Sequence, residues 1–205
     1  MNISEKAKWI SFEGGEGCGK TSIINVIKDV LEKAGRELIV TREPGGVPIS
    51  EQIRDVILDV ENIEMDYVTE AMLYAAARRQ HLVERVIPAL ESGKWVLMDR
   101  YVDSSIVYQG YARELGMEKV KKINEFAVEG HLPDITIYID LDPEIGLSRI
   151  DSGDREKNRL DMEAMSFHRK VREGYLKLAK NTDRIVVVDG NRSIKEVVSD
   201  VLKLI

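Results

Sequence analysis

Residues 14–21 carry the pattern Gly-x-x-x-x-Gly-Lys-Thr, and this stretch constrains the fold of the chain more than any other. The pattern follows an apolar run, KWISFE, with the character of a buried strand. It opens a segment, KTSIINVIKDVLEKAG, whose apolar residues recur with helical spacing. Glycines let the backbone N–H groups of such a loop point at phosphate oxygens, and the helix N-terminus adds partial positive charge. The sequence therefore predicts a phosphate-binding loop, here called the P-loop, between a strand and a helix.

Five short runs are nearly continuous in apolar residues, as strands buried on both faces of a sheet are. They are residues 8–13, 37–43, 94–100, 134–141 and 184–190. The clearest helical segments between them are residues 20–35, 69–92, 117–130 and 193–205. Pro88 should kink or end the second of these helices. The alternation predicts one α/β domain over residues 1–205, with a five-stranded parallel sheet flanked by helices.

Composition limits the compartment and the partners. The formal net charge of −6 argues against a protein that binds the phosphate backbone of nucleic acid. Cys18 is the single cysteine, so no internal disulfide can form and a reducing compartment is expected. We interpret Cys18 as a small loop filler rather than a nucleophile. The N-terminus has no apolar signal-peptide region, and no apolar run approaches the roughly 18 residues of a membrane span. These features predict a cytoplasmic protein.

The residues of the P-loop have separate expected roles. Lys20 should reach the β- and γ-phosphates of a nucleotide. Thr21 should ligate Mg²⁺, and Asp99, at the end of the apolar run in WVLMDRY, is placed to organise the same ion. Glu16 is unusual because a carboxylate repels phosphate, so it points either to solvent or towards a second substrate. The residues expected to contact the nucleotide are Gly14, Gly15, Glu16, Gly17, Cys18, Gly19, Lys20 and Thr21.

Residues outside the P-loop indicate the kind of reaction. Many hydrolases follow the strand-end Asp with a Glu that positions water, but here Arg100 follows Asp99 and suits a second phosphate. The chain contains no D-x-x-G, which excludes a GTPase switch. Arg42 lies at the end of the second apolar run in TREPGG, and Arg54 lies one short helix further on, near the sheet edge where such folds bind ligands. Each arginine alone is compatible with an ordinary surface residue, but together they favour a site for an acceptor phosphate.

The segment TEAMLYAAARRQHL has two interpretations. Tyr74 and Arg78 are four residues apart on one helical face, and Glu70 lies one turn earlier. An aromatic ring beside a guanidinium can stack on a planar base and donate a hydrogen bond to it. The same spacing also fits an ordinary amphipathic face, and spacing alone favours neither interpretation.

The chain resembles the bacterial-type thymidylate kinase family from the first strand to the last helix. The matching stretches are FEGGEGCGKT, TREPGG, TEAMLYAAARRQHL, DRYVDSSIVYQGYAR, LPDITIYIDL and NRLD. The resemblance implies the P-loop nucleoside-monophosphate-kinase fold and Mg²⁺-dependent transfer of the γ-phosphoryl group of ATP to dTMP, giving dTDP and ADP in dTTP synthesis. It also implies a homodimer that acts on small-molecule substrates, with no nucleic acid or membrane partner.

Carried over position by position, the resemblance implies an acceptor-binding region at about residues 42–78 and beyond. Tyr74 occupies the position of a phenylalanine that stacks on thymine, and Tyr108 should pack beside the deoxyribose. Glu16 should lie near the sugar 3′-hydroxyl or help to order the acceptor side. Arg42, Arg54 and Arg100 should clamp the phosphate. Arg78, Ser105 and Gln109 should contact the edge of the base. The complete dTMP-binding set is Arg42, Arg54, Tyr74, Arg78, Arg100, Ser105, Tyr108 and Gln109.

The family divides by whether a catalytic arginine lies in the P-loop or in a lid. This P-loop has none, so the resemblance implies Arg155, in a mobile lid at about residues 149–161, with Arg149 and Arg159 as further candidates. The expected catalytic residues are Lys20, Arg100, Arg155 and Glu16. Two alternatives stay open: a kinase for another nucleoside monophosphate, and a nucleotide-binding regulatory protein without transfer activity.

Overall fold

The computed structural model describes residues 8–152 and 158–205. Its centre is a five-stranded sheet in the order β2-β3-β1-β4-β5, and all neighbouring strands are parallel. The strands are β1 (Trp9–Glu13), β2 (Leu38–Arg42), β3 (Trp95–Asp99), β4 (Ile135–Asp140) and β5 (Ile185–Asp189). Each lies inside one of the five apolar runs, so the predicted parallel sheet is confirmed.

Helices connect the strands and cover the sheet. They are α1 (Lys20–Lys33), α2 (Pro48–Leu58), α3 (Tyr67–His81), α4 (Ile87–Glu91), α5 (Val102–Ser105), α6 (Met117–Val128), α7 (Pro143–Asp151), α8 (Met165–Ala179) and α9 (Ile194–Val201). Two π-helical segments, Leu82–Val86 and Ile106–Ala112, extend α3 and α5. In the described part of the chain, no helix has the length and apolar character required to cross a bilayer.

Side chains of the central strand alternate between the two faces of the sheet. Ile10 and Phe12 are fully buried on the face that α1 and α9 cover. Trp9 points to the opposite face, where it packs among residues of α4, α5 and the π-helical segments. Each large apolar side chain buried in this way contributes about 1.5–3 kcal/mol. The two buried faces explain why the strands are apolar along their whole length.

The long helical segment differs from its prediction at its start and in the effect of Pro88. It begins at Tyr67 rather than Thr69, because the Asp66 side chain accepts hydrogen bonds from the N–H groups of Val68 and Thr69. Pro88 does not end it; the helix continues to Glu91. The π-helical segment Leu82–Val86 immediately precedes this proline, and its wider turn relieves the clash of the ring with the preceding turn.

Candidate active site

A cleft of about 410 Å³ opens at the carboxyl ends of β1, β2 and β3. Most of the residues that the sequence singled out line it: Glu16, Gly17, Cys18, Gly19, Lys20, Thr21, Arg42, Arg54, Tyr74, Arg78, Asp99, Arg100, Tyr108 and Gln109. Gly14, Gly15 and Ser105 are not among the residues that line the cleft. Arg155 lies outside the described residues. The fold thus brings residues separated by more than 90 positions to a single cavity.

The P-loop conformation depends on its glycines. Gly14, Gly17 and Gly19 all have positive φ, which other residues adopt only with strain. The Lys20 ammonium donates hydrogen bonds to the carbonyl of Gly14 at 3.2 Å and to that of Gly15 at 3.1 Å. These contacts fold the lysine over the loop that it is expected to serve. Cys18 is buried in the core beside α1, which fits a loop filler.

Thr21 and Asp99 face each other across the cleft floor. The Thr21 hydroxyl donates to Asp99 Oδ2 at 3.3 Å. A hydroxyl and a carboxylate are hard oxygen ligands that suit Mg²⁺, which takes its remaining ligands from phosphates and water. Among the described residues there is no group of three His, Cys, Asp or Glu side chains that could hold a metal ion. The donor set therefore fits a cation that arrives with a nucleotide.

Arg100 connects the P-loop to the wall of the cleft that carries Tyr108. Its Nη1 donates to the Gly14 carbonyl at 2.9 Å, and its Nη2 lies 2.7 Å from Glu16 Oε1. The guanidinium also stacks over the Tyr108 ring, whose hydroxyl donates to the same Glu16 oxygen at 3.0 Å. Arg100 has a φ of 67°, unusual for a residue with a side chain. The Glu16 side chain is thus paired within the cleft and is only 13% exposed.

Glu13, which the sequence analysis did not identify, supports Arg100 from below. This fully buried carboxylate accepts hydrogen bonds from the backbone N–H of Tyr101 at 2.7 Å and the hydroxyls of Ser104 at 2.6 Å and Tyr175 at 2.7 Å. The same two hydroxyls lie 3.3 and 3.5 Å from Arg100 Nη1. Burial, followed by the Asp103 carboxylate, raises the pKa of Glu13 to about 7. The sequence does contain a signal that could have identified Glu13, namely an acid at the end of an otherwise apolar strand.

Arg42 and Arg54 bring positive charge to the end of the cleft beside β2. Arg42 Nη2 lies 2.8 Å from Glu51 Oε2, and Arg54 donates to the Pro44 carbonyl at 2.8 Å. Burial, followed by the neighbouring Arg42 charge, lowers the pKa of Arg54. A bound anion would relieve the smaller, repulsive part of this effect.

Arg78 is almost fully buried in the wall of the cleft. It donates to Glu43 at 2.8 Å, to Ser105 Oγ at 3.2 Å, to the Tyr101 carbonyl at 3.1 Å and to Asn124 Oδ1. Ser105 therefore supports Arg78 from behind and does not itself line the cavity. Arg78 therefore lies on the inward-facing side of α3 rather than on a solvated face.

A second buried acid fixes Arg78. The Glu43 carboxylate contacts Arg78 on one oxygen, and its other oxygen lies 3.0 Å from His81 Nδ1. His81 Nε2 lies 2.7 Å from the Thr41 hydroxyl, which completes a buried polar chain from β2 to the cleft. His81 lies on α3 and is fully buried. The TREPGG motif contains Glu43 and would have allowed its identification.

Tyr74 and Gln109 complete the wall. Burial, followed by the Glu70 charge, raises the pKa of the Tyr74 hydroxyl, so the ring stays neutral. Gln109 Nε2 donates to Glu70 Oε1 at 2.8 Å. Glu70 also contacts Arg159, which donates to the Ile57 carbonyl at 3.0 Å. These contacts hold Arg159 away from the P-loop.

Arg149 is the lid candidate that reaches the P-loop in the described part of the chain. Its Nη1 donates to the Gly17 carbonyl at 3.4 Å. Helix α7, which carries Arg149, packs directly against the P-loop. A Cβ atom added to Gly17 would lie 2.0 Å from the Gly146 carbonyl oxygen. A Cβ atom added to Gly146 would lie 2.2 Å from the Glu16 carbonyl oxygen. Two glycine backbones are therefore required where α7 meets the P-loop.

Comparisons with known proteins identify the family of this chain. The family model described as thymidylate kinase matches residues 12–201. The thymidylate kinase of Halalkalibacterium halodurans is 54% identical over 202 residues, which are 98% of this chain and 96% of that protein. The thymidylate kinase of Clostridium novyi is 54% identical over 198 residues, with 96% and 97% covered.

A solved structure extends the likeness to the fold. The crystal structure of thymidylate kinase from Ehrlichia chaffeensis superposes with a TM-score of 0.79 at 28% identity, covering 97% of this chain and 98% of that one. Sequence and structure thus match over nearly the whole length of both chains. The chain belongs to the thymidylate kinase family.

Proposed function

We propose that this protein transfers the γ-phosphoryl group of ATP to the phosphate of dTMP, giving ADP and dTDP for dTTP synthesis. One observation carries the proposal: the P-loop and Arg100 meet in the same cleft, with Arg100 Nη1 2.9 Å from the Gly14 carbonyl. A loop that holds a triphosphate and a guanidinium that suits a monophosphate thus share one cavity.

The donor side consists of the P-loop and the start of α1. Backbone N–H groups around Gly17 and Gly19 bind the phosphates of ATP, and Lys20 moves from its carbonyl partners onto the β- and γ-phosphate oxygens. Thr21 and Asp99 would hold Mg²⁺. When bound, Mg²⁺ neutralises phosphate charge that develops during transfer.

The acceptor side is built from the arginines. Arg42, Arg54 and Arg100 clamp the dTMP phosphate, while Tyr74 stacks on the thymine ring. Tyr108, which lies under the Arg100 guanidinium, packs against the deoxyribose and leaves no space for a 2′-hydroxyl. Glu16 pairs with Arg100 and orders this side of the cleft.

The reaction depends on positioning and charge. An oxygen of the dTMP phosphate attacks the γ-phosphorus, and the bond from that phosphorus to the bridging oxygen of ADP breaks. The attacking atom is already an anionic oxygen, so no general base is needed. Lys20, Arg100 and the lid residue Arg155 offset the repulsion between the two anions.

A coupled assay of ADP release tests the proposal. The wild type should release ADP only when ATP, Mg²⁺ and dTMP are all present, and Lys20→Ala should abolish the release. Lys28→Ala is the matched control, because this lysine lies on the same helix but its side chain is 40% exposed. ATP binding without dTMP-dependent ADP release would identify a regulatory nucleotide-binding protein. Faster turnover of another nucleoside monophosphate would identify a different kinase.

The homodimer and the cytoplasmic location remain predictions, as does the absence of a nucleic acid partner. Sedimentation velocity of the purified chain tests the first of these. A single species at the mass of one chain, across the concentrations used for the kinetic assay, would contradict the homodimer.

A further inference from the structure

Glu70 is a fully buried carboxylate with three polar neighbours. Its Oε1 accepts a hydrogen bond from Gln109 Nε2 at 2.8 Å. Its Oε2 lies 3.5 Å from Arg113 Nη2 and contacts Arg159 Nη2. A carboxylate beside two guanidinium groups carries only acceptor lone pairs. Glu70 therefore dictates which end of the Gln109 amide faces it.

The orientation of the Gln109 amide follows from this chemistry. A carboxylate can receive only the NH₂ end of the amide, so the carbonyl oxygen must lie on the other side of the group. Gln109 lines the cleft, and within the described residues its carbonyl oxygen accepts no hydrogen bond from the protein. The side chain accordingly presents an acceptor, rather than a donor, to a base bound in the cavity.

Arg78 supplies the complementary group. A guanidinium has five N–H donors. One on Nε, two on Nη1 and one on Nη2 are directed at Glu43, Ser105, Asn124 and the Tyr101 carbonyl. Within residues 8–152 and 158–205, one Nη2 donor remains for a ligand, and Arg78 also lines the cleft. The base wall thus offers one acceptor and one donor.

We propose that Glu70 is a specificity-determining positioning residue, which turns the Gln109 carbonyl towards the base and thereby selects a pyrimidine with a ring N–H beside a carbonyl oxygen. Thymine and uracil present this pair at N3 and O4. Cytosine presents the reverse, a lone pair at N3 and an amino group at position 4. The proposal rests on the proposed function, because it assumes a pyrimidine nucleotide in the acceptor site.

The Glu70→Gln variant tests the proposal. The two arginines require an acceptor, so the new amide should turn its carbonyl to them and its NH₂ group to Gln109. Gln109 must then turn its own carbonyl away from the base and present its NH₂ group instead. The variant should therefore lose kcat/KM with dTMP, whose ring N–H would now face a donor. It should discriminate less strongly against dCMP, because the N3 lone pair of cytosine can accept from the Gln109 NH₂ group, although Arg78 still opposes the cytosine amino group. A hydrogen-bonding site discriminates by about 10⁴–10⁵-fold, so the dTMP/dCMP ratio of kcat/KM should fall by at least about 10²-fold.

The control variant is Glu163→Gln. Glu163 Oε1 lies 2.5 Å from Arg113 Nη2. This change therefore also removes one carboxylate charge beside Arg113, but it leaves the contact between Glu70 and Gln109 intact. Its dTMP/dCMP ratio should equal that of the wild type. A ratio in Glu70→Gln within threefold of the wild type would overturn the role of Glu70. A wild type that phosphorylates neither nucleotide would instead contradict the proposed function.

A measurement on the wild type keeps the proposal testable if Glu70→Gln does not fold. The chain has three glutamines, Gln52, Gln80 and Gln109, so labelling glutamine side chains with ¹⁵N gives three amide signals, and Gln109→Leu identifies the relevant one. The Gln109 amide protons should exchange slowly with solvent in the nucleotide-free protein, because Glu70 holds them. Exchange as fast as that of Gln52 and Gln80 would overturn the proposal.

Discussion

Arg100 and Glu16 form an ion pair with 2.7 Å between Nη2 and Oε1, and both side chains are more than four-fifths buried. The pair lies where the donor loop and the acceptor site meet. It holds the Arg100 guanidinium in a position where its Nη1 donates a hydrogen bond to the Gly14 carbonyl of the P-loop. The Arg100 fork can make both contacts because its donors diverge from a rigid plane.

Arg100→Lys tests that geometry. A lysine keeps the charge but has a single ammonium, which cannot contact Gly14, Glu16 and a phosphate in fixed directions. We expect kcat/KM for dTMP to fall by at least about 10²-fold, the loss typical of a misplaced positioning group. Steady-state kinetics with dTMP as the varied substrate measure it. Activity within threefold of the wild type would show that charge alone is sufficient at this position.

Arg54→Ala tests the phosphate clamp. A hydrogen bond to a charged group contributes about 1.5–3 kcal/mol, so the KM for dTMP should rise about 10- to 150-fold while the KM for ATP changes little. Arg192→Ala is the control, because Arg192 pairs with Asp200 of α9 and does not line the cleft. Equal effects on the two KM values would contradict a role confined to the acceptor.

Arg155→Ala tests the predicted lid arginine. An arginine that stabilises the transition state contributes about 10³- to 10⁵-fold in rate, so we expect kcat to fall by at least about 10²-fold with a modest change in the KM for dTMP. Arg149→Ala, compared in the same assay, separates the two candidates. Near-normal turnover of Arg155→Ala together with a large loss in Arg149→Ala would transfer the role to Arg149.

The methyl group of thymine should be recognised less strongly than its hydrogen-bonding edge. A methyl-sized pocket contributes about 1–3 kcal/mol, or roughly 10- to 200-fold. dUMP carries the same N3 and O4 groups as dTMP, so its kcat/KM should lie within that range below the value for dTMP. Competition between the two nucleotides, followed by separation of the products, gives the ratio. A loss beyond about 10³-fold would point to a steric rather than a hydrophobic origin.

Glu13 should make stability depend on pH. Its pKa is raised from 4.5 to about 7 in the folded protein, so the unfolded chain releases this proton first as the pH rises. The stabilisation that Glu13 contributes is complete below about pH 4.5 and is lost as the pH approaches and passes 7. The free energy of unfolding of Glu13→Gln, relative to the wild type, should therefore increase between about pH 5 and pH 8. Urea denaturation at both pH values measures it, and the exposed Glu129→Gln should show no such trend.

The sequence predicts the scaffold well because its signals are local. Strand β1, the P-loop and α1 follow one another directly, so apolar pattern and glycine spacing identify all three. The partners of the buried acids could not be predicted, for the opposite reason. Glu43 and Arg78 are 35 residues apart, and Glu70 and Arg159 are 89 apart. Nothing in the spacing of such residues tells which guanidinium neutralises which carboxylate; only the packed fold does.

The contact between Gly17 and Gly146 has a mechanical consequence. Helix α7 touches the P-loop through bare backbone, with no side chain between them to deform. Packed backbone of this kind resists compression. A methyl group at either glycine would collide with the facing backbone and force α7 away from the P-loop. That displacement would carry Arg149 off the Gly17 carbonyl, so the spacing between these two backbones fixes the reach of this arginine.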